Sequence, residues 1–287
     1  MSKLNGCICL ISARKKLLPI CLLYLNKNYN YKFKYPIKIF YHGNIYDDLD
    51  YQNKIKQINN DVKYSFHKIE DKIPDNLPEK DLFYNLKNNE YAKNFGKKRV
   101  GYLHANYFWN NFMNYPELSS FDFVMRIDDD SWFKKKDATH DLFEELIKKK
   151  SNFGTGFIWN HFNKNHIETR VNLFSWTKNY IYKYNYPIKN KKMKEIIETN
   201  NEEKFHGLNW SCGNLNVYNM DMFKSEEWKI FNNEFNNYNG GYRFRWGDCE
   251  VIGIFYYIHY EDDLINFNLK NQDIYSPQLP GTNIITK

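Results

Sequence analysis

The chain has 287 residues, 42% of them hydrophobic and 18% aromatic, which excludes a disordered or fibrous protein and suffices for one large core. Its net charge of +7 comes without zinc-finger spacing or an RNA-recognition signature, so nucleic acid is not expected as a partner, whereas anionic small substrates suit it.

The first predicted element is "GCICLIS", residues 6–12, a buried strand. After "ARKK" comes "LLPICLLYL", residues 17–25, read as a helix. Neither run approaches the roughly 18 apolar residues of a membrane span, so no integral membrane segment and no signal peptide is expected. "IKIFYHG" (37–43) and "VKYSFHKI" (62–69) are the second and third strands, and Pro74 and Pro78 punctuate the loop that follows. From Gly101 the spacing becomes helical, with Leu103, Tyr107, Phe108, Phe112 and Tyr115 forming a stripe that stops at Pro116.

The stretch "FDFVMRIDDDSWF", residues 121–133, then drives a strand of β-formers into three successive carboxylates. Adjacent carboxylates repel, and desolvating them is costly unless a cation or hydrogen-bond donors compensate. Mg²⁺ and Mn²⁺ take oxygen ligands, usually one or two carboxylates with water and substrate phosphates. In open α/β sheets ligands bind beyond the carboxyl ends of strands, where Asp128, Asp129 and Asp130 fall. An Asp-x-Asp site for a metal-bound diphosphate is one reading; aspartates that only cap a turn are the other. An EF-hand loop is disfavoured by Trp132 and Phe133.

Beyond the aspartates, "HDLFEELIKKK" sets Leu142, Phe143 and Leu146 on one helix face, and "FGTGFIW" reads as a strand without dinucleotide-binding glycine spacing. "NLFSWTKNYIYKY" is another helix, and residues 185–205 read as a polar linker or surface excursion. In "NNYNGGYRFRWGDCEVIGIFYYIHY" (236–260), a Gly240-Gly241 turn leads to Arg243, Arg245 and Trp246. Asp248 then opens a helix carrying Val251, Ile254, Phe255 and Ile258. Asp248 is either that helix's cap or a carboxylate that orients an acceptor hydroxyl, with Trp246 as a sugar platform and Arg245 meeting an anionic donor.

Alternation of strands and helices without repeats predicts one α/β domain over residues 1–287, a central mixed sheet flanked by helices. Five cysteines without a C-x-x-C pair argue against disulfides and zinc and for a reducing compartment, so a soluble, cytoplasmic protein is expected. Abundant Asn, Lys, Tyr, Ile and Phe match the codon bias of an A+T-rich genome; were that genome viral, the compartment would be host cytoplasm or virion.

"GGYRFRWGD" with its following helix resembles a signature of glycosyltransferase family 15, the fungal Golgi α-1,2-mannosyltransferases. "YNYKFKYPIKIF", "GYLHANYFWNNFMNYPEL", "FDFVMRIDDDSWF", "IETRVNLFSWTKNYI" and, more loosely, "NWSCGNLNVYNMDMFKS" fall in the family's order, so the resemblance spans nearly the whole chain. It implies a GT-A-like fold, a Mn²⁺ (or Mg²⁺) cofactor, GDP-mannose as donor, a glycan or glycoprotein acceptor and retention at the anomeric carbon. About 1–150 becomes the nucleotide-sugar-binding half and about 151–287 the acceptor-binding half.

Carried over by position, Tyr102, His104, Arg126, Asp128 and Asp130 are implied to bind the donor, and Asp128 and Asp130 the metal. Trp210, Arg245, Trp246 and Asp248 are implied at the acceptor, with Asp248 and Asp128 catalytic. Two positions depart from the family. Counting back from "FKS" puts Val217 where the family has a glutamate proposed as nucleophile, and Ser276 falls where it has a metal-binding histidine. A front-face transfer without a covalent intermediate is therefore expected. A binding protein that kept the fold and lost turnover is the rival, and a metal-dependent nuclease uses the same aspartates.

Overall fold

The computed structural model describes residues 4–70, 73–85, 100–134, 140–159, 169–269 and 274–275; Ser276 lies outside them. Four apolar runs of the first half lie side by side and parallel: β1 (Gly6–Ile11), β2 (Ile37–His42), β3 (Tyr64–Ile69) and β4 (Phe123–Ile127). A ribbon strand, β5 (Trp132–Phe133), follows the aspartates. The second half adds β6 (Phe153–Thr155), the ribbon pair β7 (Ile158–Trp159) and β8 (Trp210–Ser211), then β9 (Leu215–Asn219), β10 (Ile265–Asn266) and β11 (Ile274–Tyr275). Seven of these form one mixed sheet in the order β10-β6-β9-β4-β1-β2-β3. Only β9 runs against its neighbours, β4 and β6, among these seven strands.

The helices longer than a single turn are α1 (Leu18–Leu25), α2 (Leu49–Lys56), α3 (Val100–Asn111), α4 (Leu142–Lys148) and α5 (Leu173–Tyr184). After them come α6 (Lys191–Glu198), α7 (Glu202–His206), α8 (Glu226–Tyr238), α9 (Gly240–Phe244) and α10 (Asp248–His259). Strand side chains alternate between the two faces of the sheet, so each face builds its own core. Ile8, Leu10, Met125, Ile127 and Val217 join Leu18 and Leu22 of α1 and Phe143 and Leu146 of α4. Cys7, Cys9, Val124 and Tyr218, on the other face, join Phe108 and Trp109 of α3, Phe231 of α8 and Val251, Ile254 and Phe255 of α10.

Three expectations change. Residues 185–205 are not a linker: Asn190 caps α6, accepting hydrogen bonds from the N–H groups of Lys192 (3.0 Å) and Met193 (3.2 Å). Met193, Ile196 and Ile197 of α6 are buried, and a helical face of three apolar residues within a Lys-rich run is easily read as polar. The helix after Gly101 ends at Asn111, tightens into a 3₁₀ turn over Phe112–Asn114, and Pro116 opens the next short helix rather than closing this one. Gly240-Gly241 belongs to helix α9 instead of a turn. Among the described residues no helix is long and apolar enough to cross a membrane.

Candidate active site

The parallel strands deliver their carboxyl ends to one edge of the sheet, and a cleft of about 700 Å³ opens there. Its walls come from the segment after β1, the aspartates after β4, the segment Trp210–Gly213 before β9, α3, and the start of α10.

The three aspartates have separate surroundings. Asp129 turns inward, 1% exposed, and accepts a 2.6 Å hydrogen bond from Ser12 Oγ. Arg14 forms ion pairs with both Asp129 and Asp130 from a half-exposed position. Asp128 stays with the buried Arg126, whose Nη2 lies 3.2 Å from Asp128 Oδ1. The turn that separates them is closed by the Ser131 N–H on the Asp128 carbonyl, at 2.9 Å. Ser12 and Arg14 were missed in the sequence because "ARKK" reads as a charged flank; its position just past a strand end was the available signal.

Arg126 reaches the other wall as well. Its Nη1 pairs with Asp248, and its guanidinium lies over the Trp109 ring, 4.4 Å from the ring centre. Gly213 leaves room for this: a Cβ there would come within 2.9 Å of both Arg126 Nη2 and Cys249 Sγ. Burial works against the Arg126 charge, but Asp248 and then Asp128 outweigh it and push its pKa up. Burial raises Asp128 to about 6 although Arg126 opposes the shift. Asp130 and Asp248 are also raised by burial, against Arg14 and Arg126 respectively. Asp248 is not the helix cap: Gly247 takes that position, and the carboxylate of Asp248 goes to Arg126.

Asp128 and Asp130 are the carboxylates that could hold a metal. Their pKa values, raised by burial, mark charge that a dication would relieve, and two carboxylates are the set Mn²⁺ or Mg²⁺ uses when phosphates complete its shell. No third His, Cys, Asp or Glu joins them in a metal-like cluster among the described residues.

Tyr102 and Arg245, expected on opposite substrates, meet at the cleft wall, with the Arg245 guanidinium 4.3 Å from the Tyr102 ring centre. Tyr102 is 41% exposed, and Arg245 holds a left-handed backbone (φ 62°), unusual for a side chain of its size. Trp210 is buried but lines the cleft, beneath the Arg170 guanidinium, which also pairs with Glu250 at 2.8 Å.

Two expected site residues lie elsewhere. Trp246 is fully buried and packs between Trp176, Tyr238 and Phe244, and its indole N–H donates to the Val171 carbonyl at 2.9 Å. It offers no face to a sugar, because the αL turn at Arg245 sends the next side chain back under α9, where only Gly240 admits the ring. His104 faces a second cavity of about 550 Å³ with Tyr242, whose hydroxyl lies 3.1 Å from its Nδ1. Val217 pairs with Met125 and points into the opposite core. The residue of β9 opposite Arg126, and so on the cleft face, is Asn216, an amide.

No family profile matches the sequence, and no curated protein matches it. Solved structures do. The mannosyltransferase Ktr4p from S. cerevisiae superposes with a TM-score of 0.77 at 18% identity, over 96% of this chain and 71% of that one. Its complex with GDP gives 0.75 at 18% identity over 90% and 68%. Core-mannan synthase A (CmsA/Ktr4) from Aspergillus fumigatus, in a Mn/GDP form, gives 0.74 at 15% identity over 96% and 75%. The chain has the α/β fold of these mannosyltransferases, the fold that the resemblance to family 15 implied.

Proposed function

We propose that the protein is a glycosyltransferase that moves a hexose, mannose from GDP-mannose, to a saccharide or glycoprotein acceptor with retention and in α-1,2 linkage. The observation that carries this reading is the cleft itself: Asp128 and Asp130 stand on one wall and Asp248 on the other, on a fold shared with two mannosyltransferases.

In this reading Asp128 and Asp130 hold Mn²⁺ or Mg²⁺, which when bound stabilises the negative charge of the departing nucleoside diphosphate. Residues up to about 150 supply the donor side and later residues the acceptor side. Asp248, held by Arg126, orients the acceptor hydroxyl. The exposed Tyr102 ring, backed by Arg245, takes the sugar-stacking role that Trp246 does not. With an amide at Asn216 and an apolar side chain at Val217, β9 offers no carboxylate nucleophile. The bond from the anomeric carbon to the phosphate oxygen breaks, the bond to the acceptor oxygen forms on the same face, and the acceptor proton passes to the leaving phosphate.

The test is release of GDP from GDP-mannose with and without Mn²⁺, beside a thermal-shift panel of nucleotide sugars. Mn²⁺-dependent GDP release by the wild type, lost in Asp128→Asn, is the expected result. Saturable binding without release would leave a nucleotide-sugar-binding protein; no binding of any nucleotide sugar under any metal would remove both readings.

A further inference from the structure

Asn106 lies on α3, one helical turn beyond Tyr102, and lines the cleft while only 4% exposed. Its Nδ2 has no acceptor among the described residues. An amide N–H buried without a partner weakens a fold, so its presence in a cleft wall calls for a ligand that completes it. The charged groups around it already have partners: Arg126 with Asp128 and Asp248, Arg14 with Asp129 and Asp130, Arg170 with Glu250.

A neutral amide among satisfied charges selects a neutral group. A hydroxyl both gives and takes a hydrogen bond, as an amide does, whereas a diphosphate only accepts and leaves the amide oxygen without a donor. Rotation of the amide about its terminal bond presents either its nitrogen or its oxygen to such a group. Position narrows the choice further. Trp109, three residues on, covers the arginine that holds both Asp128 and Asp248, so this face of α3 looks onto the open part of the cleft beside those carboxylates. In the proposed transfer that part of the cleft holds the moving sugar.

We propose that Asn106 is a specificity-determining residue that binds a hydroxyl of the transferred sugar; the inference rests on the glycosyltransferase reading above. A purely structural asparagine and a sugar-binding one respond oppositely to Asn106→Leu, which keeps most of the volume and removes the unpaired amide.

The experiment measures melting temperature, and the affinities for GDP and GDP-mannose, in wild type and Asn106→Leu, with Asn106→Ala as the second variant should leucine disturb folding. Expected are an unchanged or higher melting temperature for Asn106→Leu, GDP affinity within about twofold, and GDP-mannose affinity weakened about tenfold or more. A series of deoxy-mannose donors should find one hydroxyl whose removal weakens wild type and leaves the variant unaffected. A lower melting temperature with both affinities unchanged in both variants would make Asn106 structural, and equal weakening of GDP and GDP-mannose would move the contact to the diphosphate; either overturns the proposal. A wild type that binds GDP but not GDP-mannose removes the sugar site directly. A wild type that binds neither removes the glycosyltransferase reading and this inference with it.

Discussion

Arg126 and Asp248 stand 122 residues apart in the chain and form a buried ion pair, while the same guanidinium holds Asp128. One side chain therefore sets the distance between the two walls of the cleft.

Removing that side chain leaves two buried carboxylates without their cation. Arg126→Met should lose about 3–5 kcal/mol of stability at neutral pH. The loss should shrink as pH falls toward 5, because a carboxyl whose folded pKa is raised binds its proton more tightly in the folded state, and acid then favours folding. Urea unfolding at two pH values measures this; a loss independent of pH would show that the carboxylates are compensated elsewhere. Arg126→Lys keeps the charge but not the fork, and should recover stability better than turnover.

Trp246 and Tyr102 separate a structural ring from the proposed sugar-stacking one. Trp246→Ala opens a large hole among aromatic rings and should cost about 3–5 kcal/mol. Gly240→Ala should fail similarly, since its new methyl would collide with the Trp246 ring. Tyr102→Ala, at an exposed ring, should shift stability by no more than about 0.5 kcal/mol and reduce transfer sharply. Thermal melts and transfer assays on the three variants read both effects.

Chelation should stop GDP release, and added Mn²⁺ should restore it. Arg14→Gln should bind Mn²⁺ several-fold more tightly than wild type, because Asp130 is relieved of a competing cation. Mn²⁺ titration followed by electron paramagnetic resonance is the measurement. Weaker binding in this variant would mean that Arg14 shapes the site rather than competing for it.

His259 should make the fold sensitive to acid. Burial lowers its pKa to about 4, with Glu227 opposing the shift and Lys189 adding to it, and its ring packs on Phe255 and Tyr186. A histidine depressed in the folded state prefers to gain its proton unfolded, so stability falls as pH drops from about 6.5 toward 4, by roughly 1–3 kcal/mol. His259→Phe should remove that component. The difference between the two unfolding curves across this range isolates it; parallel curves would exclude His259 as the origin.

Much of this was legible in the sequence where local chemistry and tertiary position agree. The first four strands of the sheet were readable from β-formers, and the run of Asp128, Asp129 and Asp130 announced a strand end that opens on a cleft. What stayed hidden depends on partners distant in sequence. Nothing around Asn190 shows that the following helix has a buried face, and nothing near Arg14 shows that it will meet aspartates made 115 or 116 residues later, the latter being its separation from Asp130. Trp246 looked like a sugar platform because aromatic residues beside glycines often are; its burial is decided by Trp176 and Tyr238, on other helices. Asn106 carried no signal, since an unmet hydrogen bond is invisible until its surroundings are fixed.

The reversed strand β9 also dictates an order of events on the ribosome. β3, β2, β1 and β4 can pair as soon as they emerge, but the free edge of β4 must wait for Leu215–Asn219, and β6 can join only through that same strand. During that interval the nascent chain presents Phe123, Val124 and Met125 on an open edge, with repelling aspartates just beyond it. Those charges discourage a neighbouring chain from adding there, so the residues that line the cleft of the finished protein guard the unfinished one.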